Sequence, residues 1–195
     1  MTDTLTPGIK EVTKLNRMRL FVGVLSKEDE HEAMIAHVME YGAHIVPKNV
    51  NYLTIPSEHV PRGMSARDFT DLHFRSHTPG KGVLVDNSGT VMFYLVKHVD
   101  IPARPYFRTT LANKFDSWSR QYANQVHLIL HGEQNADGCM KRMGEIITRD
   151  IRLTMIKMKI PHNAPATIAR KKGVDNPLID TGRLVSSINY HIEVI

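Results

Sequence analysis

Cysteine occurs once, at Cys139, so neither an intrachain disulfide nor a cysteine-rich zinc cluster can hold the chain together, and the fold has to rest on packing. A long hydrophobic run is also lacking: Lys, His or Arg interrupts every apolar stretch well short of the roughly 18 residues a membrane-spanning helix requires. The opening MTDTLTPGIK has no basic start, apolar segment or small-residue cleavage site of a secretory leader. These absences lead us to expect a protein made and kept in the cytoplasm, with no place in a membrane. Missing too are a phosphate-cradling glycine loop and a Gly-x-Ser-x-Gly elbow, the plainest marks of nucleotide and acyl-transfer sites. What the 195 residues do carry is 42% hydrophobic content, enough to bury the core of one domain of the larger ordinary size. The formal charge of +5 and a sequence pI near 9.3 fit an acidic partner or a nucleic acid.

Local patterning predicts an α+β fold, a mixed or antiparallel sheet flanked by helices, with one β-rich insertion. Residues 1–16 combine turn formers and charge without clear periodicity and read as a flexible arm ahead of a single domain over 17–195. Arg17 to Leu25 is an apolar, partly β-branched strand. Ser26 and Asp29 have the spacing of a capping box, and the helix after them places Met34, Ile35, Val38 and Met39 on one face before Gly42 stops it. From about 47 to 100 the texture is extended pieces broken by proline and glycine turns. Val50 to Ile55 is one candidate strand, Ser65 to Phe69 one helical turn, and Val83 to Val99 a hairpin about Asp86-Asn87-Ser88-Gly89. Pro102 and Pro105 flank Arg104 in an Ile-Pro-Ala-Arg-Pro corner that starts a helix, with Phe107 and Leu111 facing the core. That helix runs to about His131 with a break near Asp116. A second, over 135–159, carries a Met140, Met143, Ile147, Ile151, Thr154 and Met158 stripe opposite basic residues. Residues 161–180 form an exposed loop, Asp180 caps a turn over Thr181 to Ser187, and Ile188 to Val194 alternates as a half-buried strand.

Several residue patterns suggest chemistry without completing it. Asp180-Thr181-Gly182 spells the aspartic-protease triplet, but too few residues follow to build the strands around such an aspartate, Arg183 takes the place of a small residue, and a helix cap explains the same letters. His127 with His131, and His73 with His77 in a helical loop, have two-ligand metal spacing without a third ligand. His31-Glu32 lacks the second histidine of a zincin. Cys139 lies in an amphipathic helix, as a small packing residue does. No catalytic set, metal site or cofactor is therefore expected. The densest positive charge, Arg170-Lys171-Lys172, sits in the exposed loop with no aromatic among it. It suits a protein contact better than single-stranded nucleic acid. A basic nucleic-acid-binding module is the alternative reading, and a hydrolase on an unrecognised site is a more distant one.

Several segments follow one another in order: the strand from Leu20 to Leu25 with Ile35-Ala36 and Glu40-Tyr41-Gly42; Ile101-Pro102-Ala103-Arg104-Pro105-Tyr106-Phe107-Arg108; Asn163-Ala164-Pro165-Ala166-Thr167 with Lys171-Lys172-Gly173; and Pro177-Leu178-Ile179-Asp180-Thr181-Gly182-Arg183-Leu184 with Ser187-Ile188. Together they resemble the bacteriophage tail-completion and virion-morphogenesis proteins, including the Mu-like ones. The resemblance implies a small α+β protein of the virion neck that assembles as a homo-oligomeric ring, commonly a hexamer. Such a ring sits between the tail tube protein and the head connector and leaves a channel for DNA. The β-rich segment departs from the shorter members, so terminator and joining roles both stay open. On this reading Arg170, Lys171 and Lys172 would pair with charges of a neighbouring subunit, while Ile168 and Leu178 would be buried against it.

Overall fold

The run expected to form the first strand does so, as β1 (Met18–Val24). Its partner is the last strand, β8 (Ile188–Val194), antiparallel from Met18 opposite Val194 to Val24 opposite Ile188. The computed structural model describes residues 5–25, 30–78 and 81–195, so the capping box read at Ser26 and Asp29 lies outside the described residues. Helices and antiparallel sheets together make the α+β fold that the patterning predicted. The chain divides into two compact units. One is built from Met1–Glu40, Pro105–Met158 and Leu178–Ile195, and the other from Tyr41–Arg104 and Lys159–Pro177.

The first unit is helical around the β1–β8 ribbon. Helix α4 (Ala136–Lys157) packs on both strands, on α3 (Tyr106–Leu130) and on α1 (Leu5–Leu15). Contact on several sides explains why α4 buries more than the predicted stripe: Ala136, Cys139, Met140, Met143, Gly144, Ile146, Ile151 and Met155 are all enclosed. Gly144 is required, because a Cβ there would lie 2.5 Å from the Tyr190 ring of β8. Asn135 caps α4 by accepting from the Gly138 amide at 2.8 Å. Tyr106, Ile151, Met155, Leu178, Leu184 and Ile188 form one cluster; Leu15, Met18, Ile129, Ala136, Cys139 and Met140 form another. Each of the Leu, Ile and Met side chains taken wholly from water contributes about 1.5–3 kcal/mol.

Three expectations in this unit are corrected. The stretch read as a flexible arm is helical from Leu5 to Leu15, with Leu15 buried and Val12 packed against the Ile129–Cys139 cluster. Gly8, read as a turn former, allows the close approach instead: a Cβ there would lie 3.0 Å from the Leu130 backbone. Helix α3 runs unbroken through Asp116. Its first buried face is Tyr106 and Thr110, both 0% exposed, while Leu111 is 51% exposed and Phe107 only partly buried. Helix α2 (Glu30–Tyr41) buries Glu32, Ala36 and Glu40, with Ile35 and Met39 partly covered and Met34 exposed.

The second unit holds the β-rich segment. Strands β3 (Leu53–Pro56), β4 (His73–Thr78), β5 (Lys81–Val85) and β6 (Val91–Val96) make an antiparallel sheet ordered β3-β6-β5-β4. The predicted hairpin is β5–β6, closed by Asp86–Gly89, but both of its arms are interior and the open edges belong to β3 and β4. The helical turn appears as a single 3-10 turn at Ala66–Asp68. A short ribbon pairs β2 (Ala43–Ile45) with β7 (Val99–Ile101). The core here is small: Val60, Met92 and Phe93, with Phe69, Leu72 and Leu84 against them.

Candidate functional site

Strand β7 ends at Ile101, and the Pro102-Ala103-Arg104-Pro105 corner follows as irregular backbone until α3 begins at Tyr106. Proline cannot donate to a ladder, so pairing stops here. Arg104 is 4% exposed. Its Nε donates to the Pro161 carbonyl at 3.0 Å and its Nη2 to the His162 carbonyl at 3.1 Å. The corner and the segment after residue 160, far apart in sequence, are thus clamped by one guanidinium whose fork suits two adjacent acceptors. Burial pushes the Arg104 guanidinium down from its ordinary value, and the nearby Asp175 carboxylate opposes that.

Asp175 organises the same segment. It accepts from His162 Nδ1 at 2.5 Å, from the Asn163 amide at 3.1 Å and from Asn163 Nδ2 at 3.0 Å. Those bonds, the Asn163 backbone amide first and His162 next, hold its carboxyl below the usual range. Residues 161–180 are therefore not the open loop expected. They contain helix α5 (Pro165–Arg170), Lys171 Nζ donates to the Asn176 carbonyl, and Gly173 and Lys172 take the left-handed backbone that turns the chain. On the other side of the corner Gly42, with φ +79, lies so close that a Cβ would stand 2.8 Å from the Ile101 carbonyl. Beside it a shallow cleft of about 460 Å³ is lined by Tyr41, His44, Asp100, Pro102 and Ala103. His44 Nδ1 lies 2.5 Å from Asp100 Oδ1 and holds that carboxyl below its ordinary range.

The helical unit carries a matching arrangement of its own. Pro105 supplies no side-chain cap for α3. The buried Glu40 carboxylate caps it instead, accepting from the Phe107 amide at 2.9 Å, the Arg108 amide at 3.2 Å and Arg108 Nε at 3.0 Å. Two of the amides a helix leaves unpaired are satisfied, and negative charge sits at the positive end of its dipole. Glu32 pairs with Arg183 at 3.3 Å, and buried Asp150 accepts from Trp118 Nε1 at 2.9 Å and from Arg149 at 3.0 Å.

The five proposed contact residues fall in both units, Leu178 in the helical one and Ile168, Arg170, Lys171 and Lys172 in the other. Leu178, 3% exposed, belongs to the core of the helical unit and cannot serve as a surface contact. Ile168, Arg170 and Lys171 are half-buried, and Lys172 is exposed. Gly182, with φ +83, and not Asp180 stands at the N-cap position of α6 (Arg183–Ser187), and the Thr181 hydroxyl receives the Arg183 amide at 3.4 Å. Of the histidine pairs, His127 and His131 stack with ring centroids 4.2 Å apart. Residues 73–78 are strand, so helical ligand spacing does not apply to His73 and His77. Among the described residues no group of three His, Cys, Asp or Glu side chains could hold a metal ion, and none of the helices is long and apolar enough to cross a membrane. Cys139 packs in the core, and burial pushes its thiol up. Glu32, Glu40 and Asp175 escaped sequence reading because acidic letters on a helix or loop look like solvated surface. The eight-residue spacing of Glu32 and Glu40, with Ala36 between, was the available signal. No protein-family model matches the chain, and neither a curated protein nor a solved structure does.

Proposed function

We propose that this protein is a structural component of a tailed-bacteriophage neck, forming a homo-oligomeric ring that completes the tail and joins it to the head connector. The observation that carries the reading is Arg104. Its hydrogen bonds to Pro161 and His162 tie one segment on which the resemblance rests, Ile101 to Arg108, to the two residues immediately before another, Asn163 to Thr167. That spatial link is what supports reading the separated segments as parts of one signature. Antiparallel sheets with open edges at β3 and β4, and at each strand of the β1–β8 ribbon, add backbone groups that a neighbouring copy can pair. A ring built by head-to-tail repetition of one interface needs two complementary surfaces and no catalytic group.

The test is imaging and mass measurement of the purified protein, alone and mixed with tails lacking their completion ring. Closed rings of one copy number, seated at one end of the tail, are the expected result. A monomer that stays single on the tail, or an open filament, overturns the reading.

A further inference from the structure

A cleft of about 330 Å³ between α4 and β8 has the chemistry of a binding site. Its lining includes Glu145, Thr148, Arg149, Arg152, Leu153 and Tyr190. Thr148 is 7% exposed, and its hydroxyl has no hydrogen-bond partner among the described residues. This is unusual within the molecule: Thr13, Thr110 and Thr154 each return the hydroxyl to the carbonyl four residues earlier in their helix. Arg152 is the second anomaly. Its Nη2 donates to the carbonyls of Ser186 at 3.2 Å and Ile188 at 2.6 Å, and among the described residues its Nε is buried without a partner and no carboxylate lies within ion-pair distance. The neighbouring Arg149 is already taken by Asp150.

Two buried donors and one uncompensated positive charge in a cleft call for an anion with two acceptor oxygens. We propose that this cleft binds a carboxylate on a short apolar stem, held by Arg152 and Thr148, with the stem against Leu153 and the Tyr190 ring. A doubly charged phosphate fits less well, because the exposed Glu145 at the rim opposes each added negative charge. The two donors are sealed from solvent in the empty cleft. Occupancy therefore involves rotation of the Thr148 side chain, which no back-bond restrains, and withdrawal of Arg152 from its longer contact at Ser186 while the one to Ile188 is kept. The carboxylate can come from a free small acid or from a Glu side chain of another protein; the chemistry is shared. The proposal does not depend on the ring reading.

Titration of the full chain with butyrate, followed by calorimetry and by the NMR signals of α4, tests it, with butyramide as the neutral isostere and inorganic phosphate as the competing anion. Butyrate is expected to bind saturably and more tightly than phosphate, and butyramide not at all. Thr148→Val keeps the side-chain shape and removes an unpaired hydroxyl, so it should raise the Tm of the free protein while weakening butyrate roughly tenfold. Arg152→Gln should abolish binding. If that variant fails to fold, Thr148→Val still decides the matter. A blocked Gly-Glu-Gly peptide separates the sources: competition with butyrate supports entry of a protein side chain, and its failure restricts the site to small acids. Equal binding of butyramide, preference for phosphate, no saturable butyrate signal, or a lower Tm for Thr148→Val would each overturn the proposal.

Discussion

The two units solve the problem of holding a shape differently. The helical one encloses large side chains in several clusters and sets its buried acids, Glu32, Glu40 and Asp150, against arginines. The β-rich one encloses fewer apolar side chains, among them Val60, Val85, Met92, Phe93 and Leu95, and relies on ladders and on polar clamps, Arg104 on the carbonyls of residues 161 and 162 and Asp175 on His162 and Asn163. Packing in the first case is non-directional and tolerant of small shifts. In the second the hydrogen bonds are directional, and removing one partner leaves the other unpaired.

The largest effect that would sharpen this contrast is Tyr106→Ala. The ring is wholly enclosed at the start of α3, and its loss should cost about 3–5 kcal/mol, read as a lower midpoint in denaturant unfolding. A loss below about 1 kcal/mol would show that the cluster collapses around the gap and that packing matters less than argued. Next comes Arg104→Ala, expected to cost about 1–3 kcal/mol because it strands the carbonyls of Pro161 and His162. Arg104→Lys should not restore it, since an ammonium has no fork to span both. Hydrogen exchange should quicken at 161–177 in both variants, and unchanged exchange would break the idea of a clamp.

Acid should give a smaller, local effect. Asp175 has a folded-state pKa below its ordinary 3.8. The stability it contributes is therefore present above that ordinary value and is lost as pH falls through the depressed one. The amides of His162 and Asn163 should lose protection only at pH below about 4, and Asp175→Asn should remove that pH dependence. At the bottom of the scale lies Leu111→Ala. The sequence pattern placed Leu111 in the core, yet it is more than half exposed, so the change should stay within about 0.5 kcal/mol by thermal unfolding.

Much of the fold could be read from the chain because local signals and tertiary needs agree there. The β1 run, the Asp86–Gly89 turn, the Asn135 start of α4 and the proline corner each carry a propensity that nothing overrides. Where reading failed, packing overruled local preference. Pro7 and Gly8 look like turn formers, but proline is tolerated in the first turn of a helix and Gly8 is used for close contact with Leu130. The Phe107–Leu111 face lost to Tyr106–Thr110 because spacing alone cannot say which side of a helix meets the rest of the molecule. Of the candidate site, Arg104 and its prolines were identified as a motif, but their partners at residues 161 and 162 were not. A bond between residues 57 apart leaves no periodic trace.

The β1–β8 ribbon bears on the order in which the molecule can be made. Strand β1 leaves the ribosome long before β8, its only partner strand among the described residues, and the Ile195 amide donates to the Arg17 carbonyl at 2.7 Å. Until residues 188–194 emerge, β1 has no ladder, Leu184 and Ile188 are missing from the Tyr106 cluster, and the face of α4 meant for β8 stays wet. The nascent chain must therefore carry an unpaired apolar strand from the emergence of β1 to that of β8, a long interval in which pairing with another chain competes with pairing to itself.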